Sequence, residues 1–206
     1  MRRRTFDVLA SGVGLLIVAV LVVAGALLAW GSSFANSEVH NQLAAQKIYF
    51  PPKAAFAHPK AGTEITPSMI PKVSQYAGQE LLTGAQAKVF ADDFISVHLS
   101  EMPYHGVYAT IATLARAAKP GSPQAAKLTA LEQVSFQGTT LRGLLLEAYG
   151  FGTFGQIAGI AAVVSFSAGG LMLILSGLGF WHGRRAAPSA AVPSSLGART
   201  EAPVES

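Results

Sequence analysis

Two long runs without Asp, Glu, Lys or Arg constrain the fold of this chain more than any other feature. The first covers residues 8–30, and the second lies between Glu147 and Arg184 with its most apolar part at 157–181. An α-helix rises about 1.5 Å per residue, so each run can cross a hydrocarbon core of roughly 30 Å. The pattern predicts two transmembrane helices, which we place at residues 8–30 and 154–181.

The first run also has features of a cleaved signal peptide. The chain opens with MRRR, and the small residues Ser33 and Ala35 offer a cleavage site before Asn36. The apolar region of a signal peptide is typically about 7–15 residues long, and this run is longer. We therefore expect an uncleaved signal anchor, with a cleaved signal peptide as the alternative.

The arginines beside the two runs predict the orientation in the membrane. Near the second run the connecting segment carries only Arg142, whereas the terminal sides carry Arg2, Arg3, Arg4, Arg184 and Arg185. Basic residues close to a span favour the cytoplasmic side. We expect a multi-pass cell-membrane protein with residues 1–7 and 182–206 in the cytoplasm and residues 31–153 outside. The Ala-, Pro- and Ser-rich tail, 182–206, is typical of a disordered segment.

The segment between the runs has the apolar periodicity of a small α-rich domain. Residues 32–46 should continue the first helix, with Val39, Leu43 and Gln46 along one face. Residues 53–65 have the composition of a loop, so we expect only a modest hydrophobic core. The predicted fold class is mainly α, with two transmembrane helices on either side of a small extracytoplasmic helical domain at 31–153.

Capping residues predict where the shorter helices begin and end. Thr66 before Pro67 is typical of a helix start, and this helix should run to Tyr76. Thr83 should begin a stronger helix that ends before Pro103. A third amphipathic stretch follows at 108–115, and the run that begins at 123 leads into the second span.

Composition excludes several classes of function. The chain has no cysteine, which excludes disulfides, cysteine-ligated metal centres and a cysteine nucleophile. The net charge of +4 is too small to favour nucleic-acid binding. Neither span contains an ionisable residue of the kind that marks a transport path. We therefore expect no nucleic-acid partner and find no support for transport.

The sequence also lacks the motifs of common enzyme classes. It has no Gly-x-Ser-x-Gly elbow and no P-loop. Gly150, Gly152 and Gly155 match the spacing of a dinucleotide-binding loop, but they lead into an apolar span and follow no predicted strand. We attribute this match to chance, and expect neither catalysis nor a cofactor.

His98, Glu101 and His105 are weak candidates for a metal site. His98 and Glu101 are three residues apart and would share a helix face, whereas Pro103 should prevent His105 from continuing that face. A zinc site also needs a fourth ligand or water and supporting hydrogen bonds. We expect a polar helix face with a locally hydrogen-bonded histidine rather than a metal site.

Small residues form a stripe along the second span. A GxxxG motif begins the stripe, whose members are Gly155, Gly159, Ala162, Ser165 and Gly169. Such a stripe allows another helix to approach closely. It could pack against the first span, which offers Gly14, Gly25 and Ala26, or contact another subunit or a second copy of the chain, or face lipid.

Several short motifs resemble those of a known group of proteins. These are Ala29-Trp30-Gly31 at the end of the first run, Leu43-x-x-Gln46-x-Ile48, and Ala91-Asp92-x-x-Ile95-x-x-His98. The layout of residues 8–181 resembles small two-span membrane proteins from high-GC Gram-positive bacteria, some of which carry a ring-opening dioxygenase label. This resemblance implies a fold and a location, and it assigns no catalytic residue.

Two functions remain compatible with these features. The first is a membrane accessory or interaction subunit of a cell-envelope complex, which contacts the bilayer and a membrane-protein partner through the second span. The second is an extracytoplasmic domain that binds a metal or a small ligand and is anchored twice.

Overall fold

Long helices dominate the structure, a computed structural model that describes residues 3–60 and 62–185. The first helix, α1, covers Arg3–Gln46, and the last, α6, covers Pro123–Arg185. Both are long and apolar enough to cross a membrane. In the described residues no β-strand occurs, and only an isolated antiparallel bridge joins Tyr49 to Glu80. The prediction of a mainly α-helical chain with two long apolar helices is therefore confirmed.

Four short helices lie between α1 and α6. They are α2 (Ile70–Val73), α3 (Gly84–Val89), α4 (Ser96–Glu101) and α5 (Tyr108–Ala117). A π-helical segment, Phe90–Ile95, joins α3 to α4, and 3-10 turns occupy Lys53–Phe56, Pro67–Met69, Ser74–Tyr76 and Pro103–Gly106. Over the predicted loop at 53–65, only Lys53–Phe56 forms a 3-10 turn, and the other described residues there form neither helix nor strand.

The predicted helix boundaries agree with the structure at Thr83 and before Pro103, and only in part at Thr66. The Thr83 hydroxyl accepts a hydrogen bond from the Gln86 amide, and the Gln86 side chain accepts one from the Thr83 amide, so the two form a capping box. Thr66 precedes the Pro67 turn without a side-chain cap, and the stretch predicted as one helix up to Tyr76 consists of a 3-10 turn, the short helix α2 and a second 3-10 turn. The helix that begins after Thr83 ends at Glu101, before Pro103, as expected.

The chain divides into two compact units. Among the described residues, one contains residues 3–21 and 167–185, and the other contains residues 22–60 and 62–166. Within the first unit, Ser11 and Ser176 are buried small polar side chains. A β-carbon at Gly14 would meet the Ser176 hydroxyl, and one at Gly179 would meet the Ser11 hydroxyl. The first and last helices therefore approach each other closely in this unit through reciprocal glycine–serine contacts.

The second unit has a hydrophobic core that joins the connecting segment to both long helices. Phe50 is 2% exposed and lies against Tyr76 and Phe90, at centroid distances of 5.1 and 5.2 Å. The same core contains side chains of both long helices, Val39, Leu43 and Leu145, and side chains of the connecting segment, Met69, Val73, Leu81, Ala87 and Ala91. Backbone hydrogen bonds from the Phe50 amide to the Gln79 carbonyl and from the Leu81 amide to the Ile48 carbonyl hold residues 48–50 against residues 79–81.

The boundary of the predicted tail is corrected at its start. The sequence predicts the end of the second span at Trp181 and a tail at 182–206, but α6 continues as a helix to Arg185. Arg185 lies over the Trp181 ring at 3.9 Å from its centroid. The rest of the predicted disordered tail, 186–206, lies outside the described residues.

Candidate functional site

An open groove lies between α1 and α6 in the second unit. Its cavity measures about 430 Å³. Buried side chains of the core, Val39, Leu43 and Leu145, form its floor. The remaining lining residues are Phe34, Ala35, Glu38, Gln42, Gln46, Ile48, Leu141, Leu144, Glu147, Ala148 and Phe151. We call this set of residues the groove.

The charged side chains of the groove are acidic. Glu38 on α1 and Glu147 on α6 are exposed, and Gln42 donates a 2.7 Å hydrogen bond to Glu38. Within the described part of the chain, no Lys, Arg or His belongs to the lining. The groove therefore combines an apolar surface with two carboxylates that have no cationic neighbour in the lining.

Close backbone packing holds the connecting segment against α6 next to the groove. A β-carbon at Gly84 would lie 3.0 Å from the Ala148 carbonyl oxygen and 3.4 Å from the Gly152 α-carbon. Gly150, Gly152 and Gly155 all lie inside the continuous helix α6 and form no phosphate-binding loop. At Gly152, the absence of a side chain instead permits the start of α3 to contact α6.

Asp92 connects the π-helical segment to α6. Its carboxylate accepts 2.8 Å hydrogen bonds from Lys88 Nζ and Arg142 Nη2. The hydrogen bond from Lys88, with a further contribution from Arg142, lowers the pKa of Asp92 below its ordinary value of 3.8, against an opposing effect of burial. Sequence reasoning missed this contact, because Asp92 and Arg142 are 50 positions apart.

We expect Asp92→Asn to destabilise the second unit by about 1 kcal/mol at pH 7. Because the folded-state pKa is lowered, the stabilisation by Asp92 is complete well above pH 3.8 and is lost as the pH falls through the folded pKa. The difference between wild type and variant should therefore shrink below about pH 4. Thermal unfolding in detergent from pH 7 to pH 3 measures it.

Asp93→Asn is the matched control, since among the described residues Asp93 makes one ion pair, at 3.1 Å to Lys72 Nζ. At pH 7 this substitution should destabilise the second unit less than Asp92→Asn does. If the difference in stability between wild type and Asp92→Asn did not change from pH 7 to pH 3, this result would contradict the assigned pKa direction.

The three weak metal candidates do not converge. His98 Nδ1 lies 2.9 Å from the Phe94 carbonyl, and His105 Nδ1 lies 3.3 Å from the Ser100 carbonyl. Glu101 accepts a 3.3 Å hydrogen bond from the Gly62 amide. Within residues 3–60 and 62–185, no group of three or more histidine and acidic side chains has the geometry of a metal site.

The stripe of small residues faces α1 at the positions within the second unit. A β-carbon at Gly155 would lie 3.2 Å from Ala35 Cβ, and one at Gly159 would lie 2.9 Å from Ser32 Oγ. Ala162 is buried and Ser165 is half-buried. In the first unit, Gly169 is buried as well. Of the three alternatives for this stripe, the geometry of Gly155 and Gly159 favours packing within the chain.

Gly159→Leu should destabilise the second unit by about 1–3 kcal/mol, because the added side chain would meet Ser32 on α1. We expect normal membrane insertion together with faster proteolysis of the purified monomer. Gly143→Leu is the matched control on the same helix, where a β-carbon would meet no atom within 4 Å. Equal protease resistance of both variants would contradict packing of this glycine against α1, and loss of a co-purified protein alone would favour contact with another subunit.

Comparison with known proteins gives no match. No family model, no curated protein and no solved structure is significantly similar to this chain.

Proposed function

We propose that the protein is a non-catalytic accessory subunit of a membrane complex in the cell envelope. The two long apolar helices would anchor it with both termini in the cytoplasm. Residues 31–153 would form a small helical domain on the outer side. The observation that carries this proposal is the groove between α1 and α6.

An exposed apolar surface outside a membrane span favours an interaction site. Leu144 is 59% exposed and Phe151 is 56% exposed, and both lie on α6 before the predicted start of the second span. Single exposed apolar residues are common on any protein, but a contiguous concave set with a few polar groups is typical of a binding site. The groove is such a set, because its apolar and polar residues line one cavity and three of them, Val39, Leu43 and Leu145, are buried in the hydrophobic core.

Co-purification tests the accessory role. The full-length protein with an affinity tag would be cross-linked in its native membrane, extracted in mild detergent and analysed by mass spectrometry. We expect Leu144→Arg to lose specific membrane-protein partners, because a buried unpaired charge would oppose docking. Val134→Arg is the control, since Val134 is 53% exposed on the same helix and outside the groove. Identical protein sets for wild type and both variants would contradict the proposal.

Reporter fusions test the proposed topology. A reporter that is active only outside the cytoplasm should be active when fused after residue 60 or 120, and inactive after residue 190. A mature protein that begins at Asn36 would instead show that the first helix is a cleaved signal peptide.

The alternative function is an anchored domain that binds a metal or a small ligand, and the cavity volume favours a small ligand over a metal. About 430 Å³ lies within the roughly 300–1,000 Å³ range of small-molecule sites, and the aliphatic and aromatic lining suits an apolar ligand better than a metal ion. Native mass spectrometry of the purified protein would detect such a ligand. Stoichiometric zinc or copper that disappears in a His98→Ala/Glu101→Ala variant would instead support metal binding.

A further inference from the structure

The groove has the length of a short helix. Its wall on α1 runs over residues 34–46 and its wall on α6 over residues 141–151. At 1.5 Å per residue these walls measure about 18 and 15 Å, which corresponds to roughly three helical turns. A third helix of ten to twelve residues would fill the groove along its length.

Both walls present the residue spacing that helices use to pack lengthwise. On α6 the lining includes Leu141, Leu144, Ala148 and Phe151, which are separated by intervals of three, four and three; Leu145 and Glu147 flank this row. On α1 the lining includes Ala35, Val39, Gln42 and Gln46, which are separated by intervals of four, three and four; Phe34, Glu38 and Leu43 flank this row. Alternating intervals of three and four form the seam of knobs-into-holes packing, in which side chains of one helix enter holes of the next.

The charge of the groove selects among possible occupants. Glu38 and Glu147 lie on opposite walls, and no basic residue of the described chain lines the groove. Carboxylates at this position repel the phosphate or carboxylate of an anionic lipid and attract Lys or Arg side chains. The complementary surface is an apolar helix face bordered by basic residues.

The position of the groove fits a membrane-protein partner. Phe34 lies four residues beyond the predicted end of the first span, and Phe151 lies three residues before the predicted start of the second. A helix that leaves the bilayer beside these two residues would enter the groove without a turn. A membrane helix that extends beyond the hydrocarbon core provides such a segment.

We infer that the groove binds one α-helix of a partner membrane protein, with apolar side chains between the walls and Lys or Arg side chains at Glu38 and Glu147. This inference rests on the proposed accessory function and adds the chemical class of the partner segment. Binding of such a helix would follow the recognition mode in which an amphipathic helix occupies a hydrophobic groove.

A single-cysteine label tests the inference, because the chain contains no cysteine of its own. The full-length Gln46→Cys variant, labelled with an environment-sensitive dye, would be placed in zwitterionic nanodiscs. One synthetic 12-residue peptide would carry leucines at alternating intervals of three and four with lysines elsewhere, and a second would carry glutamates in place of the lysines. A Gln124→Cys variant, labelled on an exposed part of α6 outside the groove, reports binding to the bilayer or elsewhere.

We expect a saturable emission shift from the Gln46 label with the lysine peptide, and none with the glutamate peptide or from the Gln124 label. Glu38→Gln/Glu147→Gln should weaken binding about three- to tenfold, since exposed ion pairs contribute modestly, while Glu132→Gln should leave it unchanged. Leu144→Arg should weaken binding by at least about tenfold.

Three results would overturn the inference. They are equal binding of both peptides, an affinity that the two glutamine substitutions do not change, and a shift produced by lauric acid or dodecylphosphocholine but by neither peptide. If Leu144→Arg still abolishes co-purification in membranes, the accessory function holds and only the class of occupant is wrong. If co-purification is also unaffected, the proposed function fails as well.

Discussion

Phe50→Ala should destabilise the second unit by about 3–5 kcal/mol, because it removes an aromatic ring from the centre of the core. Phe50 is 2% exposed and contacts the rings of Tyr76 and Phe90. Its backbone amide also donates a hydrogen bond to the Gln79 carbonyl, so the surrounding chain cannot easily collapse into the space left by the ring. Such a loss is a large fraction of the total stability of a typical domain.

Hydrogen exchange with mass spectrometry measures this effect in the detergent-solubilised protein. Peptides from residues 65–101 should lose about two to three and a half orders of magnitude of protection. Tyr49→Ala is the adjacent control, because Tyr49 is 57% exposed and its substitution should change protection by less than about threefold. Similar losses for the two variants would show that Phe50 is not central to the core.

Gly106→Ala should lower the free energy of unfolding of the second unit by about 3 kcal/mol or more. Gly106 has φ +63°, in the left-handed region, and a β-carbon there would collide with the Leu99 carbonyl oxygen and lie 3.0 Å from its carbon. The obstacle is backbone, which cannot rotate away as a side chain could. Moving Gly106 away from Leu99 would also disturb the 2.6 Å hydrogen bond that the buried Ser135 hydroxyl donates to the Gly106 carbonyl.

Gly121→Ala separates the conformational cost from the collision. Gly121 has φ +75°, but a β-carbon there would meet no atom within 4 Å, so we expect only the cost of the left-handed conformation, about 1–2 kcal/mol. Thermal unfolding of both variants, with hydrogen exchange over residues 96–117, gives the comparison. Equal destabilisation would mean that the Leu99 backbone moves freely, contrary to the structure.

The features that could be predicted from sequence are those that depend on neighbouring residues. The length of the apolar runs predicts the two long helices, Thr83 predicts a cap, and Pro103 predicts a helix end. The left-handed turn at Tyr104 and His105 could not be predicted in this way, since positive φ is uncommon for any residue other than glycine and two such residues in succession are rarer still. Contacts between distant segments stabilise this turn, including the hydrogen bond from Ser135.

The groove could not be predicted for a related reason. The periodicity of α1 places Val39, Leu43 and Gln46 on one face, and this part was visible in the sequence. The opposite wall begins at Leu141, almost a hundred residues later, and local periodicity does not show which helix faces α1. Glu38 and Glu147 become a matched pair of charges only when the two walls are adjacent.

The core of the second unit has a consequence for biosynthesis. It is completed by Leu145 of α6, whereas its first members, Val39 and Leu43, are on α1. The core residues that are translated in between, including Phe50 and Leu81, therefore cannot complete the core until most of the chain has left the ribosome. We expect a nascent chain that stops at residue 122 to be bound by chaperones or degraded, and folding of this unit to begin only once α6 has been synthesised.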